Sequence, residues 1–380
     1  MALYNKYRPY KLSLFCGQDH IKKILSNQVR KNKLSHSYLF TGPAGTGKTS
    51  CARVLAAMAN ATDGMTDEPS MSDPIVAQII SGKNNMDVFE MDAASSRGID
   101  DIKEIRERAY MSPMQYRKKV YIIDECHQLT SEAWAALLKI LEEPPSHAIF
   151  ILCTTDARKV SEAIKTRCQC YDFKSVATEE IVRLLKTIIQ QERIEIDDEA
   201  IRMIATCSKG SLRNALTKLD KVNDLGERIT AHNVSVVLGV TNKKTISNFI
   251  GAVISADFAS ALQASSEALS VGVPPEDFIS QVTSFLHDVL LFGAKGFDPE
   301  RLGCLPEEIQ VISSTKDALT KGVGPQFRKL LLRWDGILDQ YAKRVTYKEQ
   351  PQKLINFLFM ALYYAFKEIK LVVAEKGGTA

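Results

Sequence analysis

What the 380-residue sequence lacks narrows it first. Its eight cysteines, Cys16, Cys51, Cys126, Cys153, Cys168, Cys170, Cys207 and Cys304, include no C-x-x-C pair, and no secretory signal precedes them. Without a disulfide framework or a paired redox or zinc motif they read as buried thiols of a reducing compartment, and a cytoplasmic location is expected. Long apolar runs are missing too. "LINFLFMALYYAF" (Leu354 to Phe366) is the most apolar stretch, at 13 residues between Lys353 and Lys367, whereas a bilayer span needs about 20. It reads as a packed helix, and no membrane partner is expected. Strong charge is absent: 49 Lys+Arg against 45 Asp+Glu leave a formal net charge of +4. That balance permits a nucleic-acid partner without arguing for one, because clustering rather than sum decides such binding. No internal repeat is present.

What is there is ordinary globular material, 45% hydrophobic and 25% charged, enough for about two or three domains. The texture changes near residue 175. Before it, the runs "SYLFT" (37–41), "DVFEM" (87–91), "VYIID" (120–124) and "AIFILC" (148–153) alternate with helical patterns, which predicts a parallel α/β sheet. After it the chain reads as helical, starting with "TEEIVRLLKTIIQQERI" behind a cap at Thr178, then about 197–207 and 211–221. The expected division is an α/β domain over 1–175, a small helical domain over 176–240, an all-helical domain over 241–375 and a tail over 376–380.

The first strand runs into "GPAGTGKT", followed by Ser50 and a helix-forming segment. This is G-x-x-x-x-G-K-[ST], the Walker A pattern, in the strand–loop–helix setting it requires. Gly42, Pro43, Ala44, Gly45, Thr46 and Gly47 would curl so that backbone N–H groups and the helix N-terminus face the phosphates of ATP. Lys48 would neutralise the β and γ phosphates, and Thr49 would hold Mg²⁺. A second acidic signal closes the third strand: "IIDECH" places Asp124 at a strand carboxyl end, where it can bind Mg²⁺, and Glu125 beside it, where it can polarise an attacking water. A bare Asp-Glu after an apolar strand is otherwise a turn or helix-start signal. His127 stays open between a packing and a functional role.

The segments "NKYRP", "GPAGTGKT", "DAASSRGIDDIKEIRERA", "VYIIDECHQLTSEAWAALLKILEEPP", "IFILCTTDARKV", "IKTRCQ" and "GSLRNAL" stand in the order and spacing of clamp-loader ATPases of the AAA+ superfamily. Over residues 3 to about 238 the chain resembles the gamma/tau subunits of the bacterial DNA polymerase III clamp loader. The resemblance implies an α/β P-loop domain, a small helical lid and an all-helical C-terminal collar. It assigns Thr155 in "CTTD" to the sensor-1 position, Arg213 in "GSLRN" to the sensor-2 arginine, and Tyr7, Arg8 and Pro9 to the segment beside the adenine. It also assigns Arg167 in "KTRCQC" as the arginine finger reaching a neighbouring subunit's ATP; a guanidinium suits this because it is always charged and bridges phosphate oxygens. Cys168 and Cys170 then need no ligand role.

One departure is clear. Members usually carry a four-cysteine zinc knob after the phosphate-loop helix, but residues 60–85 contain neither cysteine nor histidine. No zinc is expected, and the lineage reads as phage-encoded or divergent. At this length the C-terminal domains of the longer family form are not expected. Ser95, Ser96 and Arg97, ahead of a helix over about 99–109, are the candidate DNA contacts, against plain N-capping by serine. "YRKK" (116–119) reads as a surface run at a strand start.

The expectation is therefore an ATP-hydrolysing clamp-loader subunit that opens a sliding clamp and places it on primer–template DNA. It would work with other loader subunits in a ring, of one or several subunit types and expected to be pentameric. Two other functions compete: a ring helicase or branch-migration motor, and a non-hydrolysing scaffold subunit.

Overall fold

The computed structural model describes residues 2–96, 98–270, 272–294, 297, 304, 306–345 and 351–377. The chain divides into two compact units, 1–192 with 208–220, and 193–207 with 221–380.

In the first unit the elements run α1 (Leu3–Lys6), α2 (Asp19–Arg30), β1 (Ser37–Thr41), α3 (Lys48–Asn60), α4 (Pro74–Ser81), β2 (Val88–Asp92), α5 (Ile99–Tyr110), β3 (Lys119–Asp124), α6 (Ser131–Glu142), β4 (Ala148–Thr154), α7 (Glu162–Lys165), β5 (Gln169–Asp172) and α8 (Thr178–Glu192). After α9 (Asp198–Cys207) of the second unit comes the first part of α10 (Leu212–Asn223). The strands lie in the order β2-β3-β4-β1-β5, every neighbouring pair parallel. Parallel pairs need crossovers, and the intervening helices supply them.

Both faces of the sheet are covered, and the period of two shows how. In β1, Tyr38 and Phe40 pack with Leu25, Leu55 and Ile79, while Leu39 joins Ile102, Ile105 and Leu137 on the other face. β3 splits likewise, Val120 and Ile122 from Tyr121 and Ile123. This two-sided burial is why these strands read as unbroken apolar runs. Five carboxyl ends are thereby lined up on one edge, where ligands of open α/β sheets bind.

The run 116–119 is a surface stretch except at its last residue, since Arg117 is exposed and Lys119 buried. Lys119 does open a strand, but it is 3% exposed, and its Nζ donates to the Arg108 carbonyl at 2.8 Å. Carbonyls in a helix's last turn lack intrahelical donors, and this ammonium meets one at the end of α5. The buried Asp87 carboxylate accepts the backbone N–H groups of Met114, Gln115 and Tyr116 just before it.

The second unit contains α9, the end of α10, α11 (Ala231–Leu238), α12 (Lys243–Ser255), α13 (Phe258–Ser270), α14 (Pro275–Phe292), α15 (Pro306–Val323), α16 (Phe327–Val345) and α17 (Pro351–Gly377). Thr230 and Asn233 form a reciprocal capping box at the start of α11. The core of this unit is built on Phe249, Phe278, Phe285 and Trp334, whose indole Nε1–H donates to the Leu362 carbonyl at 2.9 Å. The apolar run 354–366 lies in α17, with Leu354, Leu358, Leu362 and Phe366 buried and Phe357, Met360 and Tyr364 exposed. It packs one face into protein, and among the described residues no helix is long and apolar enough to cross a membrane.

Candidate nucleotide site

The carboxyl ends of β1, β3 and β4 meet at one place in the first unit. After β1 the backbone turns through Gly42, Gly45 and Gly47, with φ of +133°, +75° and +101°. Side chains are excluded on space as well as conformation: a Cβ on Gly42 would lie 2.1 Å from the Phe173 carbonyl oxygen, and one on Gly45 2.1 Å from Ser211 Oγ. The loop also holds the start of α10, since Leu212 N–H donates to the Gly45 carbonyl at 3.0 Å. Thr46 Oγ1 donates to the Pro43 carbonyl at 2.9 Å, closing the turn beneath the loop.

Lys48 opens α3 and is 5% exposed. Its Nζ donates to the carbonyls of Gly42 (2.8 Å) and Pro43 (2.9 Å), and burial pulls its pKa down from the usual lysine value. A buried ammonium held only by neutral carbonyls is under-compensated and favours an anion. Thr49 Oγ1 donates to Asp124 Oδ2 at 2.6 Å, and Glu125 N–H to Asp124 Oδ1 at 3.0 Å. Burial nonetheless dominates at Asp124 and pushes its pKa up, with the Thr49 hydrogen bond opposing. A cation shared by the Thr49 hydroxyl and the Asp124 carboxylate would relieve that cost, so the donor set fits Mg²⁺, a hard ion that takes oxygen ligands.

Glu125 sits in the left-handed region, φ 46°, which turns its carboxylate toward β4. Thr155, just beyond that strand, donates to Glu125 Oε2 from Oγ1 at 2.8 Å and from N–H at 3.2 Å. His127 Nδ1 lies 3.3 Å from the same oxygen and 3.0 Å from Thr154 Oγ1.

A cavity of about 270 Å³ opens here, lined by Tyr7, Arg8, Pro9, Ala44, Gly45, Gly47, Lys48, Thr49, Ser50, Asp124, Glu125 and Arg213. Gly42, Pro43 and Thr46 shape the loop without lining the cavity, and Thr155 reaches it through Glu125. Tyr7 is anchored by its hydroxyl to the Glu192 carboxylate, which also pairs with Lys6 at 2.6 Å. The guanidinium of Arg213 lies over the Tyr4 ring, 5.3 Å from its centroid. Arg167 does not line the cavity of its own chain. It is pinned at the surface, donating to the Ala163 carbonyl at 2.9 Å and to Glu142 Oε1 at 2.8 Å.

Sequence reading missed Arg53 and Glu90, which also line the cavity. They form a forked pair, Arg53 Nε to Glu90 Oε2 at 2.6 Å and Nη2 to Oε1 at 2.7 Å. The one hint in the sequence is a second carboxylate, Glu90, within the strand pattern "DVFEM", since a half-buried charge needs a partner. Arg8 stands near this pair, its pKa held down by burial and then by Arg53, with Arg213 adding to the effect.

Ser95 and Ser96 lie together before α5, and both backbone N–H groups already donate to the Asp92 carbonyl, at 3.1 and 2.9 Å. Neither caps the helix: the N-cap is Gly98, with no side-chain hydrogen bond. Arg97 lies outside the described residues. In "KTRCQC", Cys168 is half-buried against the core beneath α6, and Cys170 is exposed. Between α3 and β2, Asp73 accepts from Thr62 N–H (2.7 Å) and Oγ1 (2.8 Å) and caps α4 by accepting from Ile75 N–H at 2.9 Å.

Two family models match this chain: "DNA polymerase III, delta subunit" over residues 17–177, and "DNA polymerase III clamp loader subunit, ATPase lid domain" over 180–222. DNA polymerase III subunit gamma of Buchnera aphidicola is 34% identical over 288 residues, 76% of this chain and 80% of the relative. The chain belongs to the DNA polymerase III gamma/tau clamp-loader family. Among other gamma/tau relatives, the tau subunit of Bacillus subtilis is 36% identical over 292 residues and the gamma/tau subunit of Mycobacterium tuberculosis 35% identical over 294, each covering 77% of this chain. The chain spans about half the length of these two, 52% and 51%. The RuvB branch migration motor of Thermotoga maritima aligns at 21% identity and a TM-score of 0.47, over 65% of this chain and 79% of that one. That likeness is too slight to bear on function. Within the gamma/tau family the nucleotide-site residues described above belong to the stretch that the models cover, apart from the N-terminal residues up to Cys16.

Proposed function

We propose that this gamma/tau-family chain is the ATP-hydrolysing subunit of a clamp loader, opening a sliding clamp and placing it on primer–template DNA. The observation that carries the reading is the convergence of Lys48, Thr49, Asp124, Glu125 and Thr155 at one edge of the sheet. Lys48 would exchange its two carbonyl partners for β- and γ-phosphate oxygens, and Arg213 would meet the same phosphates from α10. Tyr7, Arg8 and Pro9 would hold the base end. Thr49 and Asp124 would hold Mg²⁺, whose charge, when bound, offsets that developing on the phosphates. Glu125 would take a proton from the attacking water, and Thr155 would orient it. Arg167 would complete a neighbouring subunit's site, consistent with its absence from the cavity of its own chain. Ser95 and Ser96 would face DNA, and no zinc would be needed.

The reading treats ATP as a ligand that favours the clamp-opening conformation through differential contacts, with hydrolysis reversing the bias. It is tested with Glu125→Gln. ATP affinity should stay within about threefold of wild type while hydrolysis falls at least about 100-fold, the range for loss of a general base. An unchanged hydrolysis rate would remove Glu125 from the role.

A further inference from the structure

We propose that His127 is a positioning residue for Glu125: its imidazole, hydrogen-bonded through Nδ1 to Thr154 Oγ1, presents the same nitrogen to Glu125 Oε2 and keeps the carboxylate turned so that Oε1 faces the attacking water. The proposal rests on Glu125 being the water-activating group. His127 stands in the turn after β3 with its side chain only 12% exposed, and it does not line the cavity. Its influence must therefore pass through a neighbour. Nδ1 lies between Glu125 Oε2 at 3.3 Å and Thr154 Oγ1 at 3.0 Å. Thr154 is fully buried, and its hydroxyl oxygen accepts from Asp156 N–H at 3.0 Å, so the side chain that holds the imidazole is itself fixed.

Two tautomers fit the Thr154 contact. A ring protonated on Nδ1 donates to Thr154 Oγ1 and turns a polar N–H toward the carboxylate, whereas one protonated only on Nε2 accepts from the Thr154 hydroxyl and turns its lone pair that way; the proposal takes the first. Oε2 accepts from Thr155 N–H and from Thr155 Oγ1–H, and His127 Nδ1 stands 3.3 Å from it. Among the described residues none donates to Oε1. The carboxylate is thus anchored through one oxygen and leaves the other to accept a proton, as a general base needs both the right geometry and a free lone pair. The Thr155 bonds come from the polypeptide just beyond β4 and those of His127 from the turn after β3, so the anchor ties together the two strands on which the site is built.

The test uses replacements that separate the two ring nitrogens. Asn places an amide N–H near the position of Nδ1, Gln places one near Nε2, and Leu offers neither. Single-turnover ATP hydrolysis by the full chain in its purified assembly should fall at least about tenfold in His127→Leu and His127→Gln, and stay within about threefold in His127→Asn. These sizes are those of one hydrogen bond to a charged group. ATP affinity should be unchanged in all three, because a positioning effect on the chemical step moves the rate and not the binding. Equal loss in the Asn and Leu variants, or a change confined to ATP affinity, would overturn the proposal. Glu125→Gln is measured alongside: if it hydrolyses ATP normally, the reading of Glu125 fails rather than that of His127. Nitrogen chemical shifts of the His127 ring give an answer independent of activity. Protonation at Nδ1 is expected, and protonation at Nε2 alone would overturn the assignment.

Discussion

Lys48, Thr49, Asp124 and Glu125 could be read from sequence because each pair is close in the chain and the strand–loop–helix context fixes where its side chains go. Arg53 and Glu90 could not, since their pairing joins residues 37 apart through the placement of β2 beside α3. His127 stays open in the sequence for the same reason: one of its partners, Thr154, lies at the end of β4, and only the assembled sheet brings it within 3.0 Å of the ring. The cysteines carry a residue-scale prediction. Burial pushes the Cys168 thiol up to about 12, with a smaller contribution from Cys170. The fold therefore holds this proton more tightly than the unfolded chain does, whose thiol ionises near 9. Below that pH the difference contributes nothing; between about 9 and 12 the unfolded state alone loses its proton, and stability declines. The urea midpoint should fall between pH 8 and pH 10.5, and fall less steeply in Cys168→Ala. Identical slopes would show that Cys168 is not held as described.

At the scale of elements, β1, β3 and β4 were legible because burial on both faces leaves them continuously apolar, and the helices because one face repeats at helical spacing. The fifth strand lies outside the four apolar runs, because it buries only Tyr171 among its residues. In "YRKK" the surface reading fails only at Lys119, the first residue of β3, which answers a helix-end carbonyl 11 residues back. The stretch between α3 and β2 is tied together by Asp73, which holds Thr62 and caps α4 at once. If that carboxylate, and no metal, maintains this segment, Asp73→Ala should cost about 1–2 kcal/mol, the upper range for a helix cap. Prolonged treatment with a zinc chelator should leave the melting temperature of the wild-type chain unchanged. A chelator-induced drop would put a metal back into this segment.

For the molecule as a whole, the α/β sheet and the helical C-terminal region were both visible in the change of texture near residue 175. The distribution of the helices between units was not, because α9 and α10 are neighbours in sequence yet α9 falls wholly in the second unit and most of α10 in the first. No pattern in a single sequence reports that exchange. Arg8, Arg53 and Arg213 line the nucleotide cavity and Arg167 does not, being held at the surface; if Arg167 serves a neighbour's ATP as proposed, association is part of the chemistry. Arg167→Ala chains should bind ATP as wild type does when isolated and lose hydrolysis when assembled. Lys48→Ala chains should neither bind ATP tightly nor hydrolyse it, yet still present their own Arg167. The decisive measurement is therefore the ATPase activity of assemblies formed from a mixture of the two. Hydrolysis well above that of either variant alone is predicted, because some junctions then pair an intact phosphate loop with an intact arginine; no recovery in assemblies shown to contain both chains would contradict the account.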